Sequence, residues 1–253
     1  MELTVIGAGP AYTDRRGAAA ASYLVLAGDA AILLDLGQGA FPNLASTIEP
    51  SGLAAVVVSH LHPDHFIDLV PLRHYLRYEF DPPRRVRVLG PAGLGDRLDA
   101  LHGHPGFAAM ALDVEALAQG VVRLGPFEVE ARLVTHHGES YAVRVSVADA
   151  SGAPAGPGLV YSGDCGRADD LVPLIHPGDT LLCEASFGAG TVPLGAEHLT
   201  AADAGRAATA GRAARLLITH LQMGYDRPET LAAAQAAYPG PVHLVTEGDR
   251  FKI

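Results

Sequence analysis

Cysteine, basic residues and long apolar runs are all scarce in this sequence, and each scarcity excludes something. The only two cysteines, Cys165 and Cys183, do not make a disulfide framework, so a reducing cytosol is the simpler compartment. Lysine and arginine number 18 against 28 aspartates and glutamates, a formal net charge of −10 with histidine neutral. An acidic surface repels a phosphate backbone, which disfavours broad nucleic-acid binding but leaves room for a local basic pocket. The opening residues, Met1-Glu2-Leu3-Thr4-Val5-Ile6, carry neither the basic n-region nor the apolar stretch of a signal peptide. No uninterrupted apolar stretch reaches membrane-spanning length. The expectation is a soluble, cytoplasmic protein with no membrane partner.

What is present is globular: 49% of the 253 residues are apolar and 18% charged, enough to bury one large core. Residues 1–253 are expected to form a single domain. Short apolar runs predict strands at 3–6, 23–26, 32–36, 54–58, 86–89, 121–124, 127–134, 141–147, 159–161, 180–184, 216–219 and, as the last strand, 242–245. Gly28-Asp29 supplies a hairpin turn. Helices are predicted at 69–80, with Asp68 as N-cap and Pro71 in the first turn, across 92–118 with a break at Gly103-His104-Pro105-Gly106, and at 200–211 and 228–238. Residues 151–158 read as a Gly/Pro/Ala-rich loop, too short for a domain linker. Strands outnumber helices in each half of the chain, and helices come late in each. That pattern predicts an α/β fold with two packed sheets and helices outside, in four layers.

Twelve histidines are present, several just after a short apolar run. Strand propensity gives no reason for that placement; a metal site does. In His60-Leu61-His62-Pro63-Asp64-His65, the first two histidines are two residues apart at a strand's end and can point the same way. Asp64 and His65 follow in the next turn. Imidazole and carboxylate together suit zinc, manganese or iron. His136, Asp164 and His220 each stand just after a strand as well. These seven residues are enough for two metal sites sharing one bridging carboxylate.

Together these motifs resemble the metallo-β-lactamase superfamily, and within it the ribonuclease Z and cyclic-nucleotide phosphodiesterase branch. The resemblance runs from Leu3-Thr4-Val5-Ile6-Gly7 through Leu33-Leu34-Asp35-Leu36-Gly37 to Ile218-Thr219-His220-Leu221. It implies a four-layer αββα sandwich and two divalent metal ions, zinc first and manganese second. One ion would use His60, His62 and His136, the other Asp64, His65 and His220, with Asp164 bridging. His137 abuts the third position, but Tyr141-Ala142-Val143-Arg144 matches the family stretch five residues beyond the ligand at 136. Asp35 would orient the cluster's loop or serve as a turn residue. Glu197-His198-Leu199-Thr200 resembles the family's phosphate-side histidine motif, which makes Asp64 and His198 the catalytic candidates. Asp64 would orient or deprotonate the attacking water; His198 would protonate the leaving oxygen.

The resemblance implies a hydrolase in which two cations lower the pKa of a water to about 7 and clamp the phosphate. The resulting hydroxide would attack phosphorus in line with the leaving oxygen. The family's tRNA-processing members carry a long arm between the third ligand histidine and the bridging aspartate. Here residue 164 comes only 28 positions after residue 136. A small phosphodiester such as a cyclic nucleotide is therefore the expected substrate. The alternatives are a tRNA 3′ endonuclease and a thioester, lactone or β-lactam hydrolase on the same metals. The family's di-iron oxidoreductases usually have a glutamate where His62 stands, and a flavin domain; this chain has neither. Relatives of this branch often pair, so a homodimer is expected, with the Gly/Ala-rich loop 187–194 covering a neighbour's pocket. Gly7-Ala8-Gly9 resembles a dinucleotide loop, but Tyr12 takes the third glycine position and no helix pattern follows. Cys165 reads as a small packed residue, and His102, His104, His176 and His243 as surface or packing residues.

Overall fold

A computed structural model describes residues 1–148 and 156–253. Residues 151–155 of the expected 151–158 loop lie outside the described residues. Among the described residues the strands are β1 (Glu2–Gly7), β2 (Ser22–Ala27), β3 (Ala30–Leu34), β4 (Ala55–Val57), β5 (Val86–Gly90), β6 (Leu112–Ala116), β7 (Gly120–Leu124), β8 (Phe127–Leu133), β9 (Tyr141–Val147), β10 (Leu159–Tyr161), β11 (Thr180–Glu184), β12 (Arg215–Thr219), β13 (Val242–Leu244) and β14 (Arg250–Lys252). The helices are α1 (Ala40–Thr47), α2 (Pro63–Phe66), α3 (Leu69–Tyr78), α4 (Leu94–His102), α5 (Ala201–Gly211) and α6 (Arg227–Ala237). One sheet runs β14-β1-β2-β3-β4-β5-β6 and the other β13-β12-β11-β10-β9-β8-β7.

The period-two alternation of the strands sorts side chains between layers. Leu3, Val5, Tyr23, Val25, Ile32, Leu34 and Val57 of the first sheet meet Phe127, Val129, Val143, Val145, Tyr161, Leu182 and Leu217 of the second in one buried core. The alternate residues Ile6, Leu24, Leu33 and Val56 face α1, α3 and α4 through Leu44, Leu72, Leu76 and Leu98. Val160, Leu181, Cys183 and Ile218 pack under α5 and α6. The result is the four-layer αββα sandwich.

Three details differ from expectation. Residues 112–116 form a strand, not the end of a helix. Leu112 and Val114 alternate with Asp113 and Glu115, and the segment pairs in parallel with β5. Arg85 and Arg87 of the β5 side ion-pair with Asp113 and Glu115. The pairing partner lies far back in sequence, so local pattern alone did not reveal it. The strand at 242–244 is not the last: β14 follows and pairs with β1. It is short and carries two charges around Phe251, and only its partner across the molecule makes it a strand. Asp68 does precede α3, but its side chain makes no cap bond there. It accepts instead from the Phe41 amide (2.9 Å) at the start of α1. The α5 boundary is built locally: Thr200 and Asp203 form a reciprocal capping box.

Parallel pairing positions the site. Strands β3, β4 and β5 run parallel in one sheet, and β10, β11 and β12 in the other. Loops leaving their carboxyl ends therefore gather at one edge of the sandwich, as is general for parallel strands.

Candidate metal centre

At that edge β3 delivers Asp35, β4 delivers Ser59 and His60, β10 delivers Asp164, β11 delivers Glu184 and β12 delivers His220. His62 stands before the one-turn α2, whose first residue is Pro63 and which holds Asp64 and His65. This turn is pinned from below: a Cβ on Gly37 would lie 1.9 Å from the Asp64 carbonyl oxygen. His220 itself adopts a left-handed backbone with φ 58°, unusual for a side chain of its size. Its amide donates to the Ala8 carbonyl at 3.0 Å, which holds the turn.

All seven ligand candidates converge. His136 Nε2 is 3.2 Å from His62 Nδ1 and 3.9 Å from Asp164 Oδ2. His60 Nε2 is 3.7 Å from the same oxygen. On the other side, His65 Nε2 and His220 Nε2 lie 3.4 and 3.6 Å from Asp164 Oδ1. They also lie 3.7 and 3.3 Å from Asp64 Oδ2. Asp164 thus turns one oxygen to each group. His137 is outside, with an exposed side chain 3.4 Å from Glu197 Oε2.

A cation pair fits this donor set. His60 Nε2, His65 Nε2 and Asp164 Oδ1 are buried with no hydrogen-bond partner, a costly state for polar atoms that lack another ligand. Donors about 2.0–2.2 Å from one tetrahedral ion lie about 3.3–3.6 Å from one another, close to the spacings above. Burial, the largest influence, holds the His60, His62 and His136 imidazoles below their ordinary pKa, in the neutral form that binds metal. Burial also opposes the charge of Asp164, but His220 and His65 outweigh it and keep the carboxyl ionised.

The outward nitrogens are held by two serine–carboxylate relays. Asp35, with φ 57°, accepts from His65 Nδ1 (2.7 Å), Ser59 Oγ (2.7 Å), the Ser59 amide (2.6 Å) and Tyr161 Oη (2.7 Å). Ser59 Oγ, having given its proton to Asp35, accepts from His60 Nδ1 at 3.1 Å. Glu184, buried, repeats this pattern in the second sheet. It accepts from His198 Nδ1 (2.9 Å) and Ser186 Oγ (2.6 Å). Ser186 Oγ then accepts from His220 Nδ1 at 3.0 Å. His136 Nδ1 donates to the Glu197 carbonyl at 2.8 Å. With each Nδ1 proton committed, Nε2 of His60, His65, His136 and His220 faces the centre; burial opposes the charge of His65 and His220, but Asp164 with Asp35 and Asp64 outweighs it, so these two would release their Nε2 protons to bind a cation.

His198 lies at the rim, its side chain about 20% exposed and Nδ1 3.7 Å from Asp164 Oδ2. With Asp164 and His220 it forms a third group close enough to hold an ion. Burial works against its charge, but the hydrogen bond and charge of Glu184, aided by Asp164, push its pKa up to about 9. Sequence reasoning missed Glu184, Ser59, Ser186 and Tyr161. The first could have been found, since Glu184 ends a strand as Asp164 and His220 follow theirs. Cys165 donates its amide to Glu184 Oε1 (2.9 Å), and burial pushes its thiol up to about 12. It is a packed residue. His102 stacks on Phe107 with ring centroids 3.9 Å apart, and His104, His176 and His243 are exposed. A Cβ on Gly7 would meet the Ala20 carbonyl oxygen at 1.9 Å, so that glycine serves strand packing.

Residues 31–221 match the model of the beta-lactamase superfamily domain. The chain belongs to this superfamily. Relatives include an uncharacterised protein of Mycobacterium leprae, 35% identical over 92% of this chain and 82% of its own length. A ribonuclease Z of Salinispora arenicola is 28% identical over 89% of this chain and 87% of its own. The probable metallo-hydrolase YhfI of Bacillus subtilis is 26% identical over 98% of both chains. The crystal structure of YhfI superposes with a TM-score of 0.85 over 99% of both chains, at 24% identity. The chain is a metallo-hydrolase of the ribonuclease Z-like branch of the superfamily. Among the described residues no helix is long and apolar enough to cross a membrane.

Proposed function

We propose that this metallo-hydrolase is a phosphodiesterase for small diesters such as cyclic nucleotides. In this reading His60, His62 and His136 hold one divalent cation, Asp64, His65 and His220 a second, and Asp164 both; zinc suits the nitrogen-rich set, with manganese as second choice. When bound, the cations lower the pKa of a water and neutralise charge building on phosphate. Asp64 orients the attacking water and accepts its proton at a carboxylate oxygen. His198 carries the leaving-group step. Its Nδ1 is occupied by Glu184 at 2.9 Å, so Nε2 is the atom that gives a proton to the departing sugar oxygen. That dyad beside the cluster is the observation that carries the reading: an alkoxide leaving group needs a proton donor, and the fold supplies one outside the seven-ligand set.

The ribonuclease Z relative favours a second reading, a tRNA 3′ endonuclease. Residue 164 comes 28 positions after residue 136, a span that includes β9 and β10 and leaves no room for a tRNA-gripping arm, and the net charge of −10 opposes it further. Pairing of two copies over loop 187–194 belongs to the proposal too, supported by the exposed Val192 and Leu194; a monomer by light scattering across concentrations would remove it.

The deciding experiment sets cyclic nucleotides, bis(p-nitrophenyl) phosphate, precursor tRNA, a thioester and a lactone against zinc-loaded and manganese-loaded protein. Turnover of the small diesters is expected. Site-specific cleavage of precursor tRNA, or turnover confined to the thioester or lactone, would overturn the assignment.

A further inference from the structure

Beside His62 the surface sinks into a pocket of about 240 Å³ lined by Leu61, Pro91, Ala92, Arg97, His137 and Glu139. Three loops of the carboxyl edge build it: the His60–His65 turn, the segment from β5 to α4, and the β8–β9 turn. They are fastened to one another. Arg97 Nη1 of α4 donates to the Leu61 carbonyl at 3.0 Å. The Ala92 amide donates to Glu139 Oε2 at 3.3 Å, and Tyr141 Oη donates to Glu139 Oε1. The walls are thus fixed relative to His62 before any ligand arrives.

The lining has a distinct chemistry. Leu61, Pro91 and Ala92 offer an apolar slab. His137 offers a ring whose exposed position leaves a face for stacking. Arg97 is exposed, and among the described residues only its Nη1 is committed, so the rest of the guanidinium fork can donate. Glu139 is a carboxylate with lone pairs to spare beyond its two donors. A flat ligand with an acceptor edge and an N–H edge matches these features, and the volume is below that of a drug-sized site. A nucleobase carries both edges: ring nitrogens and carbonyls accept from arginine, and amino or imino groups donate to a carboxylate.

We infer that this pocket is the nucleobase subsite of the enzyme, with Arg97 and Glu139 reading the base edge while phosphate lies at the His62 side. The inference rests on the phosphodiesterase reading above for its substrate, and names the group that reading leaves open. It assigns specificity, not rate, to Arg97 and Glu139.

Binding tests it independently of turnover. Dissociation constants of guanosine and adenosine 5′-monophosphate, and of inorganic phosphate, are measured by calorimetry on zinc-loaded protein. Arg97→Ala and Glu139→Gln should each weaken nucleotide binding tenfold or more relative to phosphate, with metal content unchanged. Arg97→Lys can keep the bond to the Leu61 carbonyl but loses the fork, and should show the same selective loss. If wild-type protein binds the nucleotides no better than phosphate, or the variants weaken nucleotide and phosphate alike, the subsite is overturned and Arg97 merely positions the His62 loop. A selective loss in a protein that hydrolyses no diester would leave the subsite standing and sink the phosphodiesterase reading. Diester turnover with unaltered nucleotide binding in all three variants would do the reverse.

Discussion

Nδ1 of His198 lies 2.9 Å from Oε1 of Glu184, a carboxylate with only 1% of its surface exposed. Burial removes water from the carboxylate, so its remaining lone pairs are satisfied by Ser186 and the Cys165 amide. The imidazole is therefore fixed in rotation, and in the charged form that Glu184 and Asp164 favour against burial, its second nitrogen carries a proton to give.

His198→Ala should keep both metals and slow a cyclic nucleotide about 10²–10⁴-fold, the usual size of general-acid catalysis. Bis(p-nitrophenyl) phosphate, whose leaving group needs little protonation, should slow far less. Equal losses on both substrates would make His198 a positioning residue, and a fall in metal content would make it a ligand.

His60→Ala and Asp164→Ala should each lose metal as well as turnover, since each removes a donor from a buried set with no spare partner. Wild-type protein should carry two ions per chain by elemental analysis, and chelation should abolish activity. One ion or none in folded, metal-supplemented protein would sink the dinuclear arrangement.

Tyr161→Phe removes one of the donors on Asp35, the carboxylate that holds His65. Loss of an outer partner of this kind typically costs about 10–100-fold in metal affinity. Chelator competition should show that loss. Tyr23→Phe removes a neighbouring hydroxyl that contacts Thr219 instead and should leave metal affinity near wild type.

Asp179 joins the second sheet's connections, accepting from Arg144 Nε (2.7 Å), Arg144 Nη2 (3.0 Å), the Gly158 amide (2.6 Å) and the His176 amide (2.9 Å). Burial acts to raise its pKa, but the Arg144 fork and the two amides outweigh it and hold the carboxyl below its ordinary value. A depressed folded pKa contributes stability above the unfolded value of about 3.9, and loses it as pH falls through the folded value. Asp179→Ala should cost about 3–5 kcal/mol at pH 7 by leaving Arg144 buried and unpaired. Urea melts from pH 7 to pH 3 should show the difference from wild type shrinking at the acid end.

Much of this protein was legible in one dimension. The histidine-rich hexad at 60–65 and the single candidate ligands after β8, β10 and β12 pointed to a candidate metal site, because side-chain type and strand period are local properties. The alternation of apolar residues likewise announced two sheets. What local pattern could not supply was partnership across distance. Residues 112–116 became a strand because β5 lay alongside, and β14 because β1 did. Ser59 and Ser186 are unremarkable residues in sequence; they became relays only when the fold set Asp35 and Glu184 beside them. His136 and His137 are adjacent; the stretch at 141–144 already favoured the first, and the fold sets it in the cluster and leaves His137 outside. The sequence by itself determined which chemistry was on offer. The tertiary structure decided which nitrogen of each histidine faced the centre, because that depends on the partner holding the other one.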